Sequence, residues 1–151
     1  MPGSEPMVLM RRGPSGLRHA VLEAFANQLR KRVTGGRWFQ CLITDDRELQ
    51  RLNRQFLGKN YPADVLSFPA PESVENFAGL GEIAISYQRA REQAHAFGHS
   101  MRDEIRILML HGVLHLVGMD HEKDSGEMAR AERKWRRYFK LPAGLIDRVK
   151  T

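Results

Sequence analysis

Three of the six histidines in this 151-residue chain fall within eleven residues, in the run HGVLHLVGMDH from His111 to His121. His111 and His115 are four apart, so on a helix they share a face and both imidazoles can reach one point. Gly118 lets the chain turn after that helix, and His121 follows the turn closely enough to come back toward the same point. Three neutral imidazoles with a fourth position open are the arrangement of a catalytic zinc site rather than a closed structural one. A metal held this way lowers the pKa of a bound water toward ~7 and polarises a carbonyl or phosphoryl oxygen. The residues between the histidines argue in the same direction. Ile105, Ile107, Leu108, Met109, Leu110, Val113, Leu114, Leu116 and Val117 make the helix apolar nearly all round, and such a helix is buried. Unpaired imidazoles in it would cost roughly 1–3 kcal/mol each, a cost that a shared ion removes. Three imidazoles also suit nickel, copper or iron, so the spacing leaves the ion's identity open.

The pattern H-x3-H-x2-G-x2-H has the spacing of the metzincin zinc proteases, with one difference that decides against them. Gly112 stands where those enzymes need a glutamate as general base. A glycine there instead lets another chain segment or a substrate approach closely. Asp120 is the carboxylate nearest in sequence and is the candidate to orient a histidine from behind, with a plain turn role after Gly118 equally open.

The elements that must position these residues follow from periodicity and capping signals. Met7–Met10, Trp38–Thr44, Val65–Phe68 and Glu82–Ser86 read as strands. Ser15 is the expected cap of a helix running to about Arg32, with Leu17, Val21, Ala24, Phe25, Gln28 and Leu29 on one face. Asp45 with Glu48 three residues on opens a second helix, with Leu49, Leu52 and Phe56 on one face. Ser86 caps a third, from Tyr87 to Phe97. Ser100 with Asp103 caps the histidine helix, which runs to about Val117, and a fifth spans about Asp124 to Phe139 before Pro142. Strands interspersed with five helices indicate one α/β or α+β domain over residues 1–151, with no repeat or linker to divide it.

Composition narrows the partners. Apolar residues are 42% and charged residues 28%, an ordinary globular mix that excludes a collagenous or largely disordered chain. The single cysteine, Cys41 in the apolar run Phe39–Ile43, excludes an internal disulfide framework and a four-cysteine zinc site, and reads as a buried core thiol. No stretch has the ~18 apolar residues of a membrane helix, and Met1–Gly16 has no apolar signal region, so the expected location is the cytoplasm. Against 18 acids stand 24 lysines and arginines, a net charge of +6, and the charge is segregated. Arg11–Arg37 and Arg130–Lys140 are basic, each with a single acid, Glu23 and Glu132 respectively, while Asn60–Gln88 holds no lysine or arginine. Two basic clusters on one small domain fit a polyanionic partner such as nucleic acid. Arg130, Arg133, Lys134, Arg136 and Arg137 are the candidate contacts to such a backbone, whereas Trp135 and Phe139 read as packing residues.

HGVLHLVGMDH, together with DVLSFP (Asp64–Pro69), GEIAIS (Gly81–Ser86) and the pair Leu52-Asn53, resembles the YbeY family of endoribonucleases that mature ribosomal RNA. The resemblance spans about Leu42 to Tyr138. It implies that His111, His115 and His121 bind one zinc ion, on a buried helix against a small mixed sheet of about four strands. It implies single-strand RNA cleavage in 3′-end processing of small-subunit ribosomal RNA and in ribosome quality control. Its implied partners are the small ribosomal subunit, a small-subunit ribosomal protein and a ribosome-assembly GTPase. Attack by metal-activated water and attack by the RNA 2′-hydroxyl both stay open. Asp64 and Glu82 lie in the shared motifs, where strand-end or loop-capping roles are equally open. The chain departs from the family pattern at two places. An arginine that follows an aromatic residue, and would hold phosphate near the metal, is replaced by Leu57 after Phe56, and a threonine by Ala63. Arg54 and Lys59 are the cations of the same stretch that can stand in. The departure keeps open a non-catalytic, metal-stabilised ribosome-assembly factor. A metal-dependent hydrolase of small substrates or peptides is disfavoured by Gly112 and the charge of +6.

Overall fold

The computed structural model describes residues 6–11, 16–61, 63–71 and 79–149. Its strands are β1 (Val8–Met10), β2 (Gln40–Thr44), β3 (Val65–Pro69) and β4 (Gly81–Ser86). The helices are α1 (His19–Arg32), α2 (Asp46–Leu57), α3 (Tyr87–Phe97), α4 (Met101–Leu116), α5 (Glu127–Tyr138) and α6 (Leu145–Val149). The strands form one sheet in the order β1-β2-β4-β3. β1, β2 and β4 run parallel, while β3 pairs antiparallel with β4, Val65 opposite Ile85 and Phe68 opposite Glu82. The sheet is therefore mixed, as the family resemblance implies.

Capping chemistry explains three of the helix starts. The Asp45 carboxylate accepts the Glu48 N–H (2.9 Å), the Ser86 hydroxyl that of Arg89 (3.2 Å) and the Ser100 hydroxyl that of Asp103 (3.0 Å). The Glu48 carboxylate of the expected capping box pairs with Arg51 (2.7 Å) and Arg11 (3.2 Å). The expected cap Ser15 lies outside the described residues, and α1 begins at His19 with no side-chain cap. Its buried face is also shifted from the expected one. Leu22, Phe25, Ala26 and Leu29 are buried, while Ala24 and Gln28 are exposed. Two apolar sets were available on this helix, and the bulkier Leu22 and Phe25 face the core. On α2, Leu49 is buried but Phe56 is exposed, lying edge-on to Phe68 at 5.7 Å. The sixth helix, α6, follows Pro142 where no sequence signal marked one.

The sheet separates two cores, and strand alternation assigns each residue to one of them. Cys41, Ile43, Ile83 and Ile85 face the larger, shared with α1 and α4; Leu66 and Ala84 face the smaller, under Leu49 of α2. Cys41 is fully buried, as expected, and burial pushes its thiol pKa up, with the nearby Glu23 carboxylate adding to the shift. Trp135 and Phe139 pack on the larger core, as expected, with the Phe139 ring 5.1 Å from that of Phe25. Helix α4 is buried along almost its whole length. Full burial of an aliphatic side chain contributes about 1.5–3 kcal/mol, so α4 is fixed by packing rather than by helix propensity. Gly112 sets its distance from the sheet. A Cβ there would stand 2.9 Å from Cγ2 of Ile83, so the close approach the glycine permits is that of β4. Ser67 of β3 adds a cross-link by donating its hydroxyl to the Gly112 carbonyl (3.1 Å). None of the described helices is long and apolar enough to cross a membrane.

Candidate metal centre

Packing against the sheet fixes the direction in which the last turns of α4 point their side chains. His111 and His115 project together from that helix, their ring centroids 4.8 Å apart. Gly118, at φ +101°, takes the left-handed turn that a residue with a Cβ adopts only at a cost, and the chain doubles back. His121 thereby arrives 5.4 Å from the His111 ring and 5.5 Å from that of His115. One ligand nitrogen from each of the three lies within 4.8 Å of the others.

The remaining bonds of these rings suit a cation. Nδ1 of His111 is 2.8 Å from Oε2 of Glu132, a carboxylate that is 2% exposed. Nδ1 of His115 donates to the Met119 carbonyl (2.9 Å). In both rings this leaves Nε2 free for a ligand bond. Nδ1 of His121 is buried with no hydrogen-bond partner among the described residues, a polar atom whose desolvation an ion would offset. The pKa of His115 is held below its ordinary value, first by burial and then by the neighbouring His111 and His121 rings. Both effects favour the neutral imidazole, the form that coordinates. The donor set therefore fits a borderline metal ion such as zinc.

The cluster opens into a cavity of about 650 Å³, whose walls include Asn53, Leu57, Lys59, Asp64, Ser67 and Leu145. Asn53 shapes one wall. It is 1% exposed and donates its amide to the Tyr61 carbonyl (2.8 Å), tying down the stretch that carries Lys59. Leu57 and Ala63 both face this cavity, so the two departures from the family pattern fall at the site itself. Of the two cations expected to compensate, Lys59 lines the cavity and Arg54 does not.

The other candidates separate clearly. Asp120 makes no hydrogen bond to a histidine among the described residues. Its carboxylate accepts the Glu122 N–H (3.1 Å) and shapes the turn, and the carboxylate behind a histidine is Glu132. Glu132 lies 21 residues from His111, and its one sequence signal is being the lone acid of a basic run. Asp64 lines the cavity but has a loop-holding role, accepting from the Val65 N–H (2.7 Å) and the Gln93 amide (3.1 Å). Glu82 is exposed and lines a different cavity, beside Arg11, Gln40 and Leu42. Within the basic cluster, Arg133 pairs with Asp147 (2.8 Å) and Arg136 donates to the Leu141 carbonyl (3.3 Å). Lys134 lies over the Trp135 ring, and Arg130, Lys134 and Arg137 are exposed.

Comparison with known proteins agrees with this geometry. The profile described as "Endoribonuclease YbeY" matches residues 15–140. The chain is 54% identical over 144 residues to the endoribonuclease YbeY of Solibacter usitatus, covering 95% of each. It is 44% identical to that of Koribacter versatilis, over 95% of this chain and 91% of the relative. Among solved structures, the solution structure of a Thermotoga maritima protein superposes with a TM-score of 0.60 at 29% identity, over 91% of this chain and 95% of that one. Matches of this extent, on a chain whose three motif histidines converge as the motif requires, place it without ambiguity: it belongs to the endoribonuclease YbeY family.

Proposed function

We propose that this protein is a zinc-dependent, single-strand-specific endoribonuclease acting in 3′-end maturation of small-subunit ribosomal RNA and in ribosome quality control. The observation that carries the reading is the three-imidazole cluster opening into a cavity, in a chain of this family. When bound, the ion supplies Lewis-acid polarisation of a phosphoryl oxygen and a lowered pKa for its water. His111, His115 and His121 hold it, one ion per chain. Glu132 and the Met119 carbonyl fix the orientation of two of the rings. Lys59, on the cavity wall, meets the scissile phosphate as a point charge, where the family pattern has an arginine. The exposed Arg130, Lys134 and Arg137 contact the RNA backbone away from the metal, with Arg133 and Arg136 serving chiefly to hold the C-terminal segment. The proposed partners are the small ribosomal subunit with its RNA, a small-subunit ribosomal protein and a ribosome-assembly GTPase, and the proposed location is the cytoplasm.

A second reading rests on Leu57. An apolar side chain on the cavity wall in place of an arginine favours an assembly factor that binds RNA without cutting it. One experiment separates the two: metal content and RNA cleavage measured on the same RNase-free samples of wild type and His115→Ala. About one zinc per chain, lost in the variant together with cleavage, is the expected result. Zinc in the wild type with no cleavage of single-stranded or structured RNA overturns the nuclease reading in favour of the second.

A further inference from the structure

We infer that the C-terminal segment Gly144–Arg148 is a clamp that acts through Glu132 to fix the tautomer and direction of His111, making Glu132 a positioning residue of the metal centre. The inference rests on the metal reading of the three histidines.

The argument begins with Glu132 itself. A carboxylate that is 2% exposed is costly to bury unless both oxygens are bonded. Oε2 faces His111 Nδ1 at 2.8 Å and Oε1 accepts the backbone N–H of Ile146 at 3.0 Å. With Oε1 occupied, Oε2 is committed to the ring. A neutral imidazole has one donor and one acceptor nitrogen. A carboxylate fixed at Nδ1 places the proton there and presents the Nε2 lone pair to the cluster.

The segment is built for this task. Gly144 lies so close that a Cβ on it would overlap Glu132 Oε1 and stand 2.6 Å from its Cδ. Glycine is thus what lets the chain pass behind the carboxylate. Beyond it, the Ile146 side chain is buried, Asp147 pairs with Arg133 (2.8 Å) and Arg148 grips Glu104 through two bonds (2.8 and 2.7 Å). Glu104 is fully buried near the start of α4, and His111 lies seven residues further along the same helix, about 10 Å at 1.5 Å per residue. The C-terminal segment therefore bridges the start of the helix that carries the histidines and, through Glu132, the turn that holds His111. Leu145, between the two grips, lines the metal cavity.

The test uses the full chain, two readouts and three variants. The first readout needs no metal: long-range 1H–15N correlation of the imidazoles in chelator-treated protein at about pH 8, above the ordinary imidazole value. The other is Zn2+ affinity by competition with a chromogenic chelator. In the wild type, His111 is expected as the Nδ1–H tautomer. Glu132→Gln and Gly144→Ala are expected to shift it toward Nε2–H and to weaken Zn2+ binding about ten- to a hundredfold, the usual effect of losing such a partner. Ile146→Pro removes the N–H donor to Glu132 and is expected to act in the same direction. The isosteric Glu132→Gln keeps the test decisive if either backbone variant does not fold. Folded clamp variants with wild-type tautomer and wild-type Zn2+ affinity overturn the inference, as does an Nε2–H tautomer in the wild type. A tautomer that shifts as expected in a protein that binds no Zn2+ overturns the metal reading and leaves the clamp standing.

Discussion

Two histidine–glutamate pairs anchor helix α4, one at its start and one at His111, and they differ in what completes them. At its start, His99 Nε2 lies 2.6 Å from Glu104 Oε1, and the same carboxylate is gripped by the Arg148 guanidinium. That guanidinium also lies 4.4 Å from the centre of the Phe97 ring. Further along the helix, His111 faces Glu132, whose second oxygen takes a neutral backbone N–H, and among the described residues no lysine or arginine pairs with Glu132. The pair at the start has its permanent counter-charge built in. The His111 pair faces, through its imidazole, two further histidines and an open cavity. A buried carboxylate balanced by arginine is architecture. One paired only with an imidazole that faces two further imidazoles and an open cavity is a candidate site.

The sharpest way to break this contrast is to remove a histidine from each of the two regions. His115→Ala is expected to abolish stoichiometric zinc binding and to bring RNA cleavage down to background. His99→Ala is expected to keep both and to lose about 1–3 kcal/mol of stability, the cost of a lost bond to a buried charge, read by denaturant unfolding. Loss of zinc from His99→Ala would erase the distinction.

Metal addition gives the next largest effect. Free zinc at a hundred times its Kd is expected to stabilise the wild type and His99→Ala by about 2.7 kcal/mol and His115→Ala not at all. Thermal unfolding with and without chelator reads it. Gly112→Ala asks whether packing holds the whole helix. The Ile83 side chain must move to admit the methyl, and a loss of about 1–3 kcal/mol is expected. An unchanged unfolding midpoint would mean that α4 is less tightly set against β4 than its contacts imply.

Lys59→Gln probes the open end alone. Stability is expected to stay within about 0.5 kcal/mol. The salt dependence of single-stranded RNA binding is expected to flatten by about 0.7 in logarithmic slope, the share of one phosphate contact. An unchanged slope would remove Lys59 from the phosphate path.

The smallest effect concerns α5, which carries Glu132. The Asp124 carboxylate accepts the N–H groups of Gly126 (2.8 Å) and Met128 (2.9 Å), and these bonds hold its pKa below the usual 3.8. Because the folded value is the depressed one, its contribution is present above pH 3.8 and is lost as the pH falls through the folded value. Unfolding measured between about pH 6 and pH 2 is expected to show a shallower acid loss in Asp124→Asn than in the wild type.

Local signals carried much of this molecule. Caps at Asp45, Ser86 and Ser100, the turn at Gly118 and the strand runs were legible because each depends on neighbours within a few residues. The histidine cluster was legible for the same reason, since helix geometry and one turn bring all three rings together. The buried face of α1 lies one step from the expected one. Its sequence permits two apolar stripes, and only the opposing core selects Leu22 and Ala26 over Val21 and Ala24. Asp120 was a natural choice as the supporting carboxylate because it is near in sequence, but a turn consumes its oxygen locally.

The sequence by itself determined a three-imidazole cluster on a buried helix, the four strands and five of the six described helices, and the family they make up. Tertiary structure alone decided which carboxylate stands behind His111, which cation borders the cavity and what the chain's end does. Glu132 and Gly144 reach the site through contacts between segments far apart in the chain, and no periodicity or spacing encodes such a contact. A local pattern can assemble the ligands, but the charge and the direction behind them are set by whichever distant segment packs there.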